Sequence, residues 1–134
     1  MVHGLNHVTL AVADLSRALR VYEHVLGARL RARWDRGAYL DLAGTWLCLE
    51  VAEKTAPRPD DSHLAFSVAA DDLPALAQAL QAEGCRAWKE NRSEGASFYF
   101  QDLDGHKLEL HAGDLTSRLR ACREQPYAGM VFFD

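Results

Sequence analysis

Residues 7–12 read HVTLAV and residues 63–68 read HLAFSV, and their shared pattern is the clearest indication of the fold. In each, apolar residues alternate with a second set that begins with a histidine, and a period of two indicates a half-buried β-strand. The two faces of the first strand carry Val8, Leu10 and Val12 on one side and His7, Thr9 and Ala11 on the other. Two strands that open alike indicate an internal repeat.

Each of these strands is followed by a helix and three further strands. Asp14 and Asp72 are predicted to cap the two helices, and Gly27 and Gly84 to end them. Apolar residues at helical spacing follow each cap: Leu15, Leu19, Tyr22, Val25 and Leu26 in the first helix, and Leu73, Leu76 and Leu80 in the second. Alternating stretches then predict strands at about 28–34, 37–43 and 45–51, and again at about 85–88, 96–101 and 106–112.

A polar, proline-bearing stretch separates the two repeats, and a last helix is predicted after Asp114, with Leu115, Leu119 and Cys122 facing inward. Two modules of one topology can each supply half of a curved mixed sheet around a central cavity. We therefore predict an α+β protein of paired βαβββ modules. Residues 1–134 would form one domain, with module one at about 5–52, a linker at about 53–62, module two at about 63–112, and a C-terminal helix and tail at 113–134.

Composition limits the classes of function. The 134 residues include 15 Lys and Arg against 19 Asp and Glu, a formal net charge of −4, and the basic residues form no long run, so nucleic acid is not an expected partner. The N-terminus lacks the pattern of a secretory signal, and no apolar run approaches the roughly 20 residues of a membrane span. Cys48, Cys85 and Cys122 are unpatterned, as expected of reduced thiols. We expect a soluble cytoplasmic protein with no membrane partner.

Three residues are candidate metal ligands. His7 and His63 occupy equivalent positions in the two repeats, and Glu109 alternates with Leu108 and Leu110 on the last strand of the second repeat. Two imidazoles and one carboxylate make a three-ligand site with open positions, which is typical of a catalytic metal, and Mn²⁺, Fe²⁺, Co²⁺, Ni²⁺ and Zn²⁺ all suit these donors. Taken singly, each residue is more often a hydrogen-bonded or solvated strand residue, and it is their placement at repeat-related positions that favours a metal site.

The segment from Lys89 to Tyr99 reads KENRSEGASFY and concentrates cationic, hydroxyl and amide groups around a glycine. Ser97 and Tyr99 share one strand face, and Arg118 of the last helix is a fork-shaped donor, so this set can bind a tetrahedral oxyanion. The alternative is a polar loop on a solvated rim. Thr9 shares a strand face with His7, where a hydroxyl beside a metal can hydrogen-bond developing negative charge, although such a residue alone is more often part of the packing.

The chain resembles the glutathione-dependent fosfomycin resistance proteins of the vicinal oxygen chelate superfamily from end to end. The stretches that carry this resemblance are GLNHVTLAVADL, WDRGAYLDL, TWLCLE, NRSEGASFYFQDLDGHKLELH and YAGM.

The resemblance implies a module-exchanged homodimer that conjugates glutathione to the epoxide carbon of fosfomycin. Each Mn²⁺ would be held by His7 of one subunit and by His63 and Glu109 of the other. The phosphonate would be bound by Lys89, Ser93, Ser97, Tyr99 and Arg118. Thr9 would assist the leaving oxygen, Tyr39 would help glutathione ionise, and Trp46 and Cys48 would line the drug pocket. An activating K⁺ would be bound by Asn91, Ser93, Glu94, Gly95 and Ser97.

Other functions stay open from the sequence. Another thiol or water can open the same epoxide, and charged Arg36 and Glu50 on the side of the expected thiol channel keep thiol identity open. A glyoxalase-like isomerase shares the fold and metal and would use Glu50 as a fourth protein ligand, although a hemithioacetal needs no anion clamp. A drug-sequestering protein of this architecture has no use for three metal ligands.

Overall fold

The two predicted repeats are present in the computed structural model, which describes residues 1–133. The first consists of β1 (His7–Val12), α1 (Leu15–Leu19) with a π-helical continuation (Arg20–Val25), β2 (Arg29–Trp34), β3 (Gly37–Leu42) and β4 (Thr45–Val51). The second consists of β5 (Leu64–Ser67), a 3₁₀ turn (Ala70–Asp72), α2 (Leu73–Ala82), β6 (Arg86–Lys89), β7 (Ser97–Gln101) and β8 (Lys107–His111). Helix α3 (Leu115–Glu124) follows. The predicted α+β class with paired βαβββ modules is confirmed.

Each repeat forms its own four-stranded mixed sheet. The strand orders are β1-β4-β3-β2 and β5-β8-β7-β6, so the first strand of each module runs parallel to the last and every other pairing is antiparallel. Within one chain, the curved sheet thus consists of two separate halves with equivalent topology. His7 and His63 stand at equivalent positions, at the start of β1 and just before β5.

The first helix begins as predicted and then changes character. The Asp14 carboxylate accepts a hydrogen bond from the Arg17 backbone N–H at 3.0 Å, which confirms the cap. The single α-helix predicted up to Gly27 is wrong in its second half, because the N–H of Leu26 bonds to the carbonyl of Val21, five residues earlier. Periodicity alone does not distinguish this wider turn from an α-helix, because its apolar residues still face the core.

Two details of the other helices differ from the predictions. Asp72 precedes α2, but its side chain makes no capping hydrogen bond because a 3₁₀ turn, in which the Asp72 N–H bonds to Ala69, already leads into the helix. Leu115 is 72% exposed and not inward, because it is the first residue of α3. The predicted cap at Asp114 and the buried position of Cys122 are confirmed.

The turn between β7 and β8 ties the two modules together. Asp104 Oδ1 accepts hydrogen bonds from the Ala13 N–H at 2.8 Å and from the Thr55 hydroxyl at 2.9 Å. His106 Nε2 lies 2.7 Å from the Ala11 carbonyl oxygen, so the imidazole donates there. These bonds fix β1 beside the edge of the second sheet. Among residues 1–133, no helix has the length and apolar character needed to cross a bilayer.

Candidate active site

A buried carboxylate lies at the centre of the second sheet. Leu108 and Leu110 of β8 point into the core, so Glu109 between them points to the opposite face, where it is only 6% exposed. Its register partners are Ala65 on β5 and Tyr99 on β7. A buried carboxylate must be paired or bound to a metal, because removing a charge from water is costly.

His63 supplies the partner. Its Nε2 lies 3.0 Å from Glu109 Oε1, and its Nδ1 lies 2.7 Å from the backbone carbonyl oxygen of Asp61. Because a carbonyl oxygen only accepts, Nδ1 donates to Asp61, and Nε2 is the nitrogen that faces the carboxylate. A positive charge between these two atoms, either a proton or a metal ion, stabilises the contact.

The geometry of this pair fits a transition-metal ion. An imidazole nitrogen and a carboxylate oxygen are both common ligands of divalent transition-metal ions, and here they face each other 3.0 Å apart. The Nδ1–H bond to Asp61 is the kind of outer contact that orients a ligating histidine. His63 and Glu109 can therefore hold a divalent cation through nitrogen and oxygen.

The third predicted ligand lies elsewhere in the chain. His7 is exposed, with its ring 4.4 Å from that of Trp46 and its Nδ1 2.6 Å from Asn6 Oδ1, a contact that leaves Nε2 free to ligate. Within residues 1–133, no three His, Cys, Asp or Glu side chains lie close enough together to hold one metal ion. A single chain brings together two of the three predicted ligands.

Two further residues complete the surroundings of Glu109. The Ser97 hydroxyl donates to Glu109 Oε2 at 2.6 Å, and the same Ser97 oxygen lies 2.6 Å from His111 Nδ1. Sequence reasoning missed His111, although the signal was present: Lys107, Glu109 and His111 alternate on one strand face.

Residues predicted to bind an anion share this face. Lys89 is the register partner of Tyr99, and its Nζ lies 5.3 Å from the centre of the Tyr99 ring. The Tyr99 ring is in turn 5.8 Å from His63. Trp88, which the sequence reasoning also missed, lies 5.3 Å from the ring of His63 and 5.3 Å from that of Tyr99. Lys89, Ser97 and Tyr99 therefore surround the His63–Glu109 pair.

Arg118 is oriented by the segment predicted to bind potassium. Its Nε donates to Glu94 Oε2 at 3.0 Å and its Nη2 to the Glu94 carbonyl at 3.3 Å. The hydrogen bond from Arg118 holds the pKa of Glu94 below its usual value.

Asn91 organises the same loop. Its Oδ1 accepts hydrogen bonds from the Ser93 N–H and hydroxyl, each at 3.1 Å, and its Nδ2 donates to the Gly95 carbonyl at 2.7 Å.

The equivalent face of the first sheet carries the remaining predicted residues. Cys48 pairs with Thr9 on one side and Tyr39 on the other, and burial raises the pKa of its thiol although the Thr9 side chain hydrogen-bonds to it. Trp34, Tyr39 and Trp46 form an aromatic cluster with neighbouring ring centres 4.7 and 5.4 Å apart. Each of the three is 40–42% exposed, so much of this face is uncovered in one chain. Thr9 also lines a cavity of about 200 Å³ that His63 borders between β1 and β5.

The fold and these sites define a class of protein. Residues 4–110 match the model of the Glyoxalase/Bleomycin resistance protein/Dioxygenase superfamily, and the chain belongs to that superfamily.

Individual relatives are more specific. The chain is 52% identical over 136 residues to "Glutathione transferase FosA" of Serratia marcescens, covering 98% of this chain and 96% of that protein. It is 40% identical over 124 residues to "Metallothiol transferase FosB" of Bacillus licheniformis, covering 87% and 80%. A mutant of the fosfomycin resistance protein FosX from Listeria monocytogenes, complexed with Mn(II) and 1S,2S-dihydroxypropylphosphonic acid, superposes with a TM-score of 0.82 at 29% identity and covers 90% of this chain and 98% of that one. The resemblance found in the sequence is confirmed.

Proposed function

We propose that this protein is a metal-dependent glutathione transferase that inactivates fosfomycin. The glutathione sulfur forms a bond to an epoxide carbon, the carbon–oxygen bond breaks, and the oxygen is released as an alkoxide that takes up a proton. One observation selects this activity among related ones: the chain is 52% identical to a glutathione transferase over nearly its whole length. Relatives named as metallothiol transferases reach 34–40% identity, and FosX structures 29–30%.

The buried His63–Glu109 pair supports the metal dependence. Its two donor atoms lie 3.0 Å apart and are of the types that ligate a divalent cation, and Mn(II) is present in the FosX complex. When bound, Mn²⁺ would supply Lewis acidity to the epoxide and phosphonate oxygens. His63 and Glu109 would hold it, together with a His7.

The remaining residues have roles that their positions support. Lys89 and Tyr99 lie beside the pair and would offer a cationic and a hydroxyl group to a phosphonate. The Ser97 hydroxyl donates to Glu109 and would have to turn to reach that phosphonate. Arg118, which Glu94 holds, and Ser93 would complete the set of phosphonate ligands. On the first sheet, Thr9 would donate to the opening oxygen and Tyr39 would help the glutathione thiol to ionise, while Trp46 and Cys48 would line the drug pocket. A thiol with a pKa near 8.5 is mostly protonated at neutral pH, so activating it raises the rate.

We also propose that the enzyme is a homodimer in which each site combines module one of one subunit with module two of the other. Two observations support this. His7 lies outside the His63–Glu109 pair of its own chain, and the aromatic face beside it is uncovered. A second copy would cover that face and bring its His7 to the His63–Glu109 pair.

Potassium activation through Asn91, Ser93, Glu94, Gly95 and Ser97, and a cytoplasmic location, belong to the same proposal. The first is supported by the loop that Asn91 organises through three hydrogen bonds. The second is supported by Cys48, Cys85 and Cys122, which are free buried thiols. We treat residues 1–134 as a single functional domain with the module boundaries predicted above.

Phosphorus NMR tests the activity directly. Fosfomycin is incubated with the protein, Mn²⁺ and K⁺, and with glutathione, cysteine or no thiol in separate tubes. We expect the phosphonate resonance to move to that of an adduct only with glutathione. A diol in the tube without thiol would replace the proposal with hydration, an adduct with cysteine alone would reassign the thiol, and an unchanged spectrum in all tubes would refute the enzyme.

A further inference from the structure

His111 has no role in the function described above, yet its ring is among the most constrained in the second module. Its side chain is only 14% exposed and lies directly opposite Ser97 across the antiparallel β7–β8 pair. Two glycines make room for it: a Cβ on Gly95 would lie 2.8 Å from His111 Cε1, and a Cβ on Gly113 would lie 2.7 Å from its Nε2. The ring therefore occupies a slot that only glycines permit.

The hydrogen bonds of Ser97 determine which nitrogen of His111 carries a proton. A hydroxyl has one proton, and Ser97 directs it to Glu109 Oε2 at 2.6 Å. The Ser97 oxygen must then accept from its other neighbour, so His111 Nδ1, also 2.6 Å away, is the donor. His111 Nδ1 also lies 3.5 Å from Glu109 Oε2, a longer contact than the two bonds of 2.6 Å that run through Ser97.

We propose that His111 is a positioning residue that fixes Glu109 as a metal ligand through Ser97. The Nδ1–H bond holds the Ser97 proton on Glu109 Oε2, which leaves Oε1 facing His63. The slot between Gly95 and Gly113 holds the His111 ring against the 91–95 loop and the start of α3. The position of that loop is therefore linked, through His111 and Ser97, to the Glu109 carboxylate. Groups that orient a ligating side chain in this way typically contribute 10- to 100-fold to metal affinity.

Matched substitutions separate the hydrogen bond from the filling of space. His111→Asn places an amide donor where Nδ1 stands, whereas His111→Gln places its amide on the Nε2 side, and His111→Phe keeps the ring without a donor. The dissociation constant of Mn²⁺ is measured by electron paramagnetic resonance of the free ion, on the full-length protein without substrates. We expect His111→Gln and His111→Phe to weaken Mn²⁺ binding about tenfold and His111→Asn to stay within about threefold of wild type.

A double-mutant cycle tests the route through Ser97. Ser97→Ala alone should weaken Mn²⁺ binding, and adding His111→Phe to it should change the constant by less than about twofold, because the connection is already broken. Equal affinity in His111→Asn and His111→Gln, or a full His111→Phe effect in the Ser97→Ala background, would overturn the proposal. His24→Phe, at a side chain that is 69% exposed, is the control.

The proposal rests on the metal-dependent function, and the two can fail separately. If wild type binds Mn²⁺ but forms no glutathione adduct, the transferase function fails, and the comparison of the Asn and Gln variants still decides the role of His111. If wild type binds no Mn²⁺, both are refuted. Thermal unfolding of each variant shows whether it is folded. If the His111→Phe variant is not folded, the difference in Mn²⁺ affinity between His111→Gln and His111→Asn still tests the proposal.

Discussion

The Tyr22 hydroxyl, in the π-helical part of the first module, donates a hydrogen bond to Oδ2 of Asp102 in the second module. The other carboxylate oxygen of Asp102 accepts from the backbone N–H groups of Asp104 at 3.0 Å and His106 at 2.9 Å. Burial raises the pKa of Asp102, and the Tyr22 hydrogen bond opposes this rise. The hydrogen bond from Tyr22 to the buried carboxylate of Asp102 thus joins the first module to the second.

Tyr22→Phe should lower the free energy of unfolding by about 1–3 kcal/mol, because a buried acceptor loses its donor while the packing of the ring is retained. The measurement is chemical denaturation followed by circular dichroism. Tyr39→Phe is the matched control: that side chain is 40% exposed, and we expect a change within about 0.5 kcal/mol. Equal effects of the two substitutions would show that the Asp102 contact contributes nothing.

Alkaline pH should destabilise the protein through Cys85. Burial, with smaller contributions from Asp102 and Glu83, raises the pKa of this thiol from 9.0 to about 12. The folded protein then holds the thiol proton more tightly than the unfolded chain, so this contribution to stability is complete below pH 9 and is lost as the pH rises towards 12.

The Cys85→Ala variant checks this. Its free energy of unfolding should fall less steeply above pH 9 than that of wild type, whatever constant cost the lost sulfur imposes. Denaturation midpoints at several values between pH 8 and pH 11 give the slopes. Parallel slopes would mean that the thiol is not responsible.

Much of the fold was predictable because the same order of strand and helix patterns occurs twice in the sequence. The alternation in residues 7–12 and 63–68 located both first strands, and every predicted strand is present. The π-helical turn was not predictable, since Tyr22 faces the core in either helical form. The exposure of Leu115 depends on where α3 packs against the rest of the protein. The spacing of apolar residues and the capping residue do not define that contact.

The candidate site was predictable only in part. Placing Glu109 opposite Leu108 and Leu110 required nothing beyond strand alternation, and its contact with His63 follows from equivalent strand positions. Pairing His111 with Ser97 needs the register of β7 against β8, which sequence alone does not give. The ion pair of Arg118 with Glu94 joins two elements separated along the chain, and only the packing of α3 brings them together.

Glu109→Ala and His63→Ala should each weaken Mn²⁺ binding by at least about 100-fold and abolish turnover, while the fold is retained. The dissociation constant of Mn²⁺ and the rate of glutathione adduct formation are the measurements. Glu50→Ala is the control, because a glyoxalase-like site would use that carboxylate as a further ligand. Loss of Mn²⁺ affinity in Glu50→Ala would favour the isomerase, and full activity in His63→Ala or Glu109→Ala would remove that residue from the site.

Asn91→Ala should raise the K⁺ concentration needed for half-maximal activation by about fivefold or more, because three hydrogen bonds that shape the loop are lost, each contributing about 1 kcal/mol. The assay is the rate of adduct formation against K⁺ at constant ionic strength. Arg92→Ala tests the neighbouring side chain, which is 86% exposed, and should leave the K⁺ dependence unchanged. A wild-type rate independent of K⁺ would contradict the potassium assignment.

Mixing two inactive variants tests whether each site takes His7 from one subunit and Glu109 from the other. In a heterodimer of His7→Ala and Glu109→Ala, one shared site carries both substitutions and the other carries neither. Random exchange of subunits makes half of the dimers mixed, so activity should return to about a quarter of the wild-type value. The measurement is adduct formation after the two proteins are unfolded and refolded together, with each refolded alone as control. If His7 and Glu109 served the same site within one chain, every site would still lack a ligand and no activity would return.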